Sequence, residues 1–355
     1  MARIEDILSN VDLQSYVQQR THELTVGDTL FPAEKTEDFE VEYILGANAA
    51  PISASIHAHD TESQVASREG FATVKQDMAL IKRKIKMNEK LITALSKANR
   101  EPEIQTVLNQ IYNDVDNMVN SVRTRVEVMR FEALSTGKLQ VNENGFATTV
   151  DYHVPEEQKV TLDGEKVWTD PMAKPLEDIE DFVNTVVMQT GTTPTRILTS
   201  RKVLNALKRH DSVRSGVYGA NSARLLSNAE LNTFLQAQGL PTIATEDRVY
   251  RVQNNAGGYI TKRYFPENGL VVLPDGELGK TIYGVTAEEV ELRNITGSQF
   301  ANYGHVIAQV YSTPDPVARW TKAVAKALPS FPTANQVLIA TVLGEDGKVV
   351  DGVDG

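Results

Sequence analysis

Between Glu103 and Gly137, Ile104, Leu108, Ile111, Val115, Met118, Val122, Val126, Met129 and Ala133 recur in steps of three and four. That spacing predicts a single helix over residues 103–136 with its apolar side chains in one stripe. Asn109, Asn113, Asp114, Asp116, Asn117, Arg123, Arg125 and Arg130 fall between them and form a polar opposite face. Pro102 is tolerated in a first turn, and Gly137 is the residue expected just past the end. At about 1.5 Å per residue the helix is roughly 45–50 Å long. A compact core does not need that length. A helix this long with one modest stripe requires a sheet laid along it, or another subunit.

With 355 residues, 41% of them hydrophobic, the chain can bury two or three cores or one elaborated one. No run of eighteen apolar residues occurs, so no membrane span is expected. The first residues lack an uninterrupted apolar stretch and a small-residue cleavage site, so no secretory signal is expected. Zero cysteines exclude disulfides and thiolate–metal sites. A formal charge of −11 argues against a chain built to grip nucleic acid as a whole. It suits a surface that sits near DNA without sticking to it.

Ile4, Ile7, Leu8 and Val11 at helical spacing suggest a short amphipathic arm that docks on something. From Phe39 the period becomes two, through Val41 and Tyr43 and then Ile52, Ala54, Ile56 and Ala58, before a polar tip at residues 61–70. The chain returns from Phe71 to Met87, with Ile81, Ile85 and Met87 on one side and Lys82, Lys84 and Lys86 on the other. An isolated two-stranded ribbon is marginal in water, so this one is expected to project and be completed by a neighbouring molecule. After the long helix, Asn142-Glu143-Asn144-Gly145 marks a hairpin turn, and a charged connector covers 153–175. A helix ending at Gly191, a strand at residues 196–199, a helix capped by Ser200 and further strands near 249–285 predict an α+β or α/β region over about 176–300. From His305 to Leu343 the pattern is again strand-like.

The search for catalytic chemistry comes up empty. Gly279-Lys280-Thr281 ends a phosphate-loop signature, but Pro274 stands where its first glycine belongs and a strand follows instead of a helix. His57 and His59 share a strand face with no third ligand, which makes a weak metal site. Lys82, Arg83, Lys84 and Lys86 form a basic comb without interleaved aromatic rings, the nearest being Phe71. A solvated edge, or ion pairs to an acidic neighbouring subunit, suits it better than nucleic acid. Glu156-Glu157, Glu246-Asp247 and Glu288-Glu289 have no accompanying histidine and are expected as surface charge. No serine stands in a nucleophile-elbow pattern. No cofactor or metal is expected, and no enzymatic activity.

Over nearly its whole length the chain resembles the major capsid protein E family of tailed phages, to which the lambda head protein belongs. The resemblance is carried by Phe31-Pro32 before the Phe39–Leu45 strand, the polar tip with returning Phe71 to Lys75, and the long helix closing on Gly137-Lys138. It continues in Asp178-Ile179-Glu180, in Lys262 to Asn268, and in Thr313-Pro314-Asp315-Pro316-Val317-Ala318-Arg319-Trp320 followed by Ala327-Leu328-Pro329. It implies an α+β shell-forming fold of the lambda head-protein type. The arm would cover 1–38 and an extended two-stranded loop 39–90. A peripheral domain would take 91–175 with 301–355 and hold the spine helix 103–136, and an axial domain 176–300. It further implies a structural protein whose copies form hexamers and pentamers of an icosahedral virion shell around double-stranded DNA, held non-specifically. Assembly in the host cytoplasm on a scaffold protein, attachment to a portal, expansion, and a decoration protein belong to the same expectation. Arg68, Phe71, Lys75, Lys82, Arg83, Lys84, Lys86, Asp315, Arg319 and Trp320 are expected at contacts between copies. The alternative with the same fold is a bacterial nanocompartment shell of the encapsulin kind.

Overall fold

The computed structural model describes residues 15–16, 23–38, 40–45, 72–87, 101–143, 145–219, 224–254, 257–291, 298–314 and 317–344. In chain order its elements begin with α1 (Val26–Leu30), β1 (Ala33–Lys35), β2 (Glu40–Leu45), β3 (Ala72–Asp77), β4 (Ala79–Lys86) and the spine α2 (Glu101–Thr136). There follow β5 (Lys138–Glu143), β6 (Phe146–Asp151), β7 (Lys159–Thr161), α3 (Pro175–Thr190), β8 (Arg196–Thr199), α4 (Arg201–Arg209), α5 (Asp211–Tyr218) and α6 (Asn228–Ala237). The rest are β9 (Thr242–Thr245), β10 (Val249–Gln253), β11 (Tyr259–Arg263), β12 (Gly269–Leu273), β13 (Lys280–Gly284), α7 (Ala287–Glu291), β14 (Ser298–Tyr303), β15 (Val306–Pro314), β16 (Val317–Ser330) and β17 (Leu338–Thr341). They form two compact units, one within residues 1–42, 75–130 and 279–330, the other within 43–74, 131–278 and 331–355.

The first unit is a sheet laid along the spine helix, as the helix's length demanded. Its strand order is β1-β13-β16-β15-β14, and β4 also pairs with β16. β15 covers one edge of β16; on the other edge β4 pairs with residues 320–327 and β13 with residues 326–330. Ala323, Ala325 and Ala327 alternate along β16 and so share one face. With Ala301, Ala308, Val306 and Val310 they make a low surface that receives Ile111, Val115, Met118, Val122 and Val126 of α2. Small residues opposite large ones let the two layers interdigitate. Each fully buried Val or Ile contributes roughly 1.5–3 kcal/mol of transfer free energy.

Three expectations change here. The return from 71 to 87 is not one ribbon strand: β3 pairs with β2 and ends at Asp77, while β4 joins the main sheet. Met78, between them, is 3% exposed and anchors the change of partner. Residues 26–35, read as arm, are built into this unit: β1 runs parallel to β13, and α1 carries a capping box from Thr25 and Asp28. Tyr16, also read as arm, stacks on Tyr112 of the same chain at 4.1 Å and donates to Asp116 at 2.7 Å.

The second unit is a mixed sheet ordered β7-β17-β12-β8-β9. β12 is buried throughout and runs antiparallel to both β17 and β8. Helix α3 lays Ile179, Phe182 and Val186 on its core, α4 adds Val203, Leu204 and Leu207, and α6 adds Leu231 and Leu235. The expected boundaries of these helices hold: Ser200 accepts from the Val203 amide at 3.1 Å, and Gly191 ends α3 in the left-handed region. β13 was read with this stretch and pairs with β16 instead, while β7 and β17 enter this sheet from outside 176–300. The last turn of α2 also belongs here, where Phe131 packs edge-on against Phe265. Gly137 then turns at φ 70°, and a Cβ there would lie 2.7 Å from a Val154 methyl. Apart from half-buried Tyr250, the hairpin β10–β11 is exposed.

Candidate functional site

The basic comb lies on β4. Register pairs Lys86 with Trp320, Lys84 with Lys322 and Lys82 with Val324. Directly opposed residues share a face, so three lysines of β4 stand beside Trp320, Lys322 and Lys326 on the side of the sheet away from the alanines. The aromatic ring missing from the local sequence arrives across the ladder: the Lys84 ammonium lies 4.5 Å from the Trp320 ring centre. The Trp320 indole N–H donates to Thr313 Oγ1 at 3.3 Å. Arg83 is half-buried on the opposite side, in register with Ala323. Arg319 gives its carbonyl to the Met87 amide at 2.8 Å and so ties the end of β4 down. Thus Lys82, Arg83, Lys84, Lys86, Arg319 and Trp320 are brought together on two paired strands. Arg68, Phe71 and Asp315 lie outside the described residues, as do His57 and His59, and of Lys75 only the backbone, in β3, is described.

Helix α7 tempers this comb. Glu288 accepts from Lys322 at 2.7 Å and from Lys82 at 3.1 Å. Burial pushes the Glu288 carboxyl up, but hydrogen bonds from Lys322, from a backbone amide and from Lys82 together outweigh it and hold its pKa below the ordinary glutamate value. The neighbouring Glu289 pairs with Lys35 of β1. The expectation that Glu288-Glu289 is plain surface charge is therefore corrected. So is that for Glu246, which is 4% exposed and held by a forked Arg248 pair at 2.8 Å.

A second cluster was invisible in the sequence. Arg130, assigned to the polar face of the spine, is 3% exposed. Its guanidinium donates to Thr281 Oγ1 at 2.7 Å, to Asp28 Oδ1 at 2.7 Å and to Glu127 Oε2 at 3.0 Å. Glu127 also accepts from the Gly27 amide at 3.3 Å, and Thr281 donates to the Phe31 carbonyl at 2.9 Å. Burial pushes the Asp28 carboxyl up; the Thr25 amide and then Arg130 reverse this and leave its pKa below the usual aspartate value. One arginine thus clasps α1, the spine and β13. Lys280 and Thr281, the tail of the phosphate-loop decoy, are occupied by Glu34 and by this cluster.

The polar groups face one another, not a shared cavity, and among the described residues no group of three histidines or carboxylates is placed to hold a metal ion. No helix among the described residues is long and apolar enough to cross a membrane.

The profile described as phage major capsid protein E matches residues 11–342. The chain belongs to that family. No curated protein matches it significantly. Among solved structures, a capsid protein from a prophage of Escherichia coli CFT073 superposes with a TM-score of 0.61 at 15% identity, covering 94% of this chain and 99% of that one. A phage-related protein of Bordetella bronchiseptica RB50 gives 0.51 at 12% identity, covering 94% and 96%. At such low identity these likenesses speak for the fold, the α+β capsid fold of tailed phages, and they run end to end.

Proposed function

We propose that many copies of this chain assemble into hexamers and pentamers of an icosahedral shell around packaged double-stranded DNA, and that it acts without catalysis. The observation that carries this reading is the family match over residues 11–342. Supporting it is a main sheet that leaves β4, a lysine-rich strand, at an edge where no further strand pairs with it among the described residues. Lysines on an open edge discourage indiscriminate sheet pairing yet accept a carboxylate-bearing neighbour. Copies would meet through the arm within 1–38, the loop within 39–90 and the faces carrying Lys82, Arg83, Lys84, Lys86, Arg319 and Trp320; Arg68, Phe71, Lys75 and Asp315 are the further contact residues of this reading. Several modest contacts per copy give collective stability by effective concentration while each stays reversible enough to correct errors. A scaffold protein, a portal and a decoration protein are the further partners of this reading, and the virion, assembled in the host cytoplasm, is its location. Negative-stain microscopy of the expressed chain, alone and with the products of neighbouring genes, tests it. Closed shells of uniform size support the proposal; isolated particles in every combination contradict it.

A further inference from the structure

Hairpin β10–β11 forms a sheet of its own in the second unit. Its base is fixed: Arg263 pairs with Glu267 at 2.8 Å, and the Tyr250 and Tyr264 rings pack with centres 4.9 Å apart. Tyr250 shares a face with Val252 and Ile260, so Val249, Arg251, Gln253, Tyr259 and Thr261 lie on the opposite one, and all five are exposed. A two-stranded hairpin is marginal in water by itself, and this face carries Tyr259 at 56% exposure with nothing over it among the described residues. The face is also cationic. From Arg248 to Tyr264 there are four basic residues and no acidic one, in a chain of net charge −11. The Arg251 guanidinium lies 5.3 Å from the Tyr259 ring centre and has no carboxylate partner among the described residues. A guanidinium held against a ring keeps its N–H edge open to a carboxylate. Tyrosine and arginine together are the residue types enriched at protein interfaces.

The same chain presents the complementary surface on α3. That helix has four acidic residues and no basic one. Glu177, Glu180, Asp181, Asn184 and Met188 follow the steps i, i+3, i+4, i+7 and i+11, and all are exposed, so they make its solvent-facing stripe. Glu177 is paired with Lys174, whereas Glu180 and Asp181 have no cation among the described residues. Met188, 81% exposed, ends the stripe. It stands about 10.5 Å along the axis from Asp181. Charge and apolar surface thus match between hairpin and helix, and since both are exposed in one chain, neither covers the other. We propose that the Val249–Arg251–Tyr259 face of the hairpin docks on the α3 stripe of a second copy, with Arg251 on Glu180 and Asp181 and the Tyr259 ring against Met188. Thioether and aromatic ring attract each other at such a contact. Two different surfaces of one chain meeting in this way form a head-to-tail contact, which repeats from copy to copy and closes into a ring. The pairing rests on the reading of the chain as a shell protein built from rings, and gives those rings one of their joints.

The absence of cysteine makes a direct test available. In shells of full-length Asn184→Cys/Thr261→Cys, co-expressed with scaffold, mild oxidation should link copies into a covalent ladder rising to whole pentamers and hexamers. Each single-cysteine variant should stay at monomer mass. Shells in which the double variant stays monomeric, or in which a single variant dimerises, would overturn the docking and leave the shell reading standing; no shells from the unaltered chain would remove both. Charge reversal supplies the second readout. Arg251→Glu should lower shell yield about tenfold, because like charges opposed across an interface repel, without shifting the thermal unfolding of the isolated chain. Adding Glu180→Arg with Asp181→Arg should restore the yield. An unchanged yield in Arg251→Glu, or no recovery in the triple variant, would overturn the proposal. So would the loss of some other protein from Arg251→Glu shells whose assembly is intact, since the hairpin would then serve that partner.

Discussion

Arg130 shows how much one residue organises. It joins Asp28, Glu127 and Thr281 where the start of the chain, the spine and β13 converge. Removing one member of such a buried set leaves charges without partners, at a cost of roughly 3–5 kcal/mol. Arg130→Met is expected to lower stability by about that amount in a urea unfolding series. Gly27 supplies the space: a Cβ there would sit 2.2 Å from a Glu127 carboxylate oxygen. Gly27→Ala should push Glu127 aside and destabilise the chain by about 1–3 kcal/mol, the cost of an unsatisfied buried acceptor. The acid response follows from the sign of the Asp28 shift. Its folded pKa lies below the ordinary aspartate value of 3.8, so its contribution is complete above that pH and fades as pH falls through the lower folded value. Asp28→Asn should make thermal stability less dependent on pH below 3.8, and an unchanged profile would contradict the assignment.

At the level of elements, the spine was the most legible part of the chain and also where legibility ended. Ile111, Val115, Met118, Val122, Val126, Met129 and Ala133, seven positions of the predicted stripe, are buried at 6% exposure or less. A one-sided pattern reports a one-sided contact. From Val126 to Phe131 every residue of the helix is buried, and Glu127 and Arg130 meet residues about 100 and 150 positions away. No local period can announce such partners. The same holds for β4. Its alternation gave the two faces, but the Trp320 ring and the Glu288 carboxylate come from strand and helix far along the chain. Hairpin β5–β6, helix α3 and the Ser200 cap were readable because a turn glycine or a capping hydroxyl is a local signal. Glu288 bridging β4 and β16 yields an element-scale prediction. Glu288→Gln should cost about 1–3 kcal/mol, in keeping with hydrogen bonds to charged groups. A double-mutant cycle with Lys322→Met should show coupling, and additivity would mean the pair is idle.

For the whole molecule, the change of partner at Met78 separates β4, which belongs to the main sheet, from β3, which pairs with β2. Ala79 to Lys86 belong to the main sheet, so a deletion reaching into β4 would damage the fold itself. Deleting residues 46–71 and joining the ends with a short glycine linker should instead spare the folded body, with near-unchanged thermal unfolding, and abolish shell formation. Normal shells from that variant would show that the loop is dispensable. The central claim, that copies of this chain complete one another in a closed shell, is tested most directly by sedimentation velocity of the full-length chain co-expressed with its scaffold. The account predicts a discrete, fast-sedimenting species of uniform size. A single slow boundary at monomer mass, persisting at the highest attainable concentration, would contradict it.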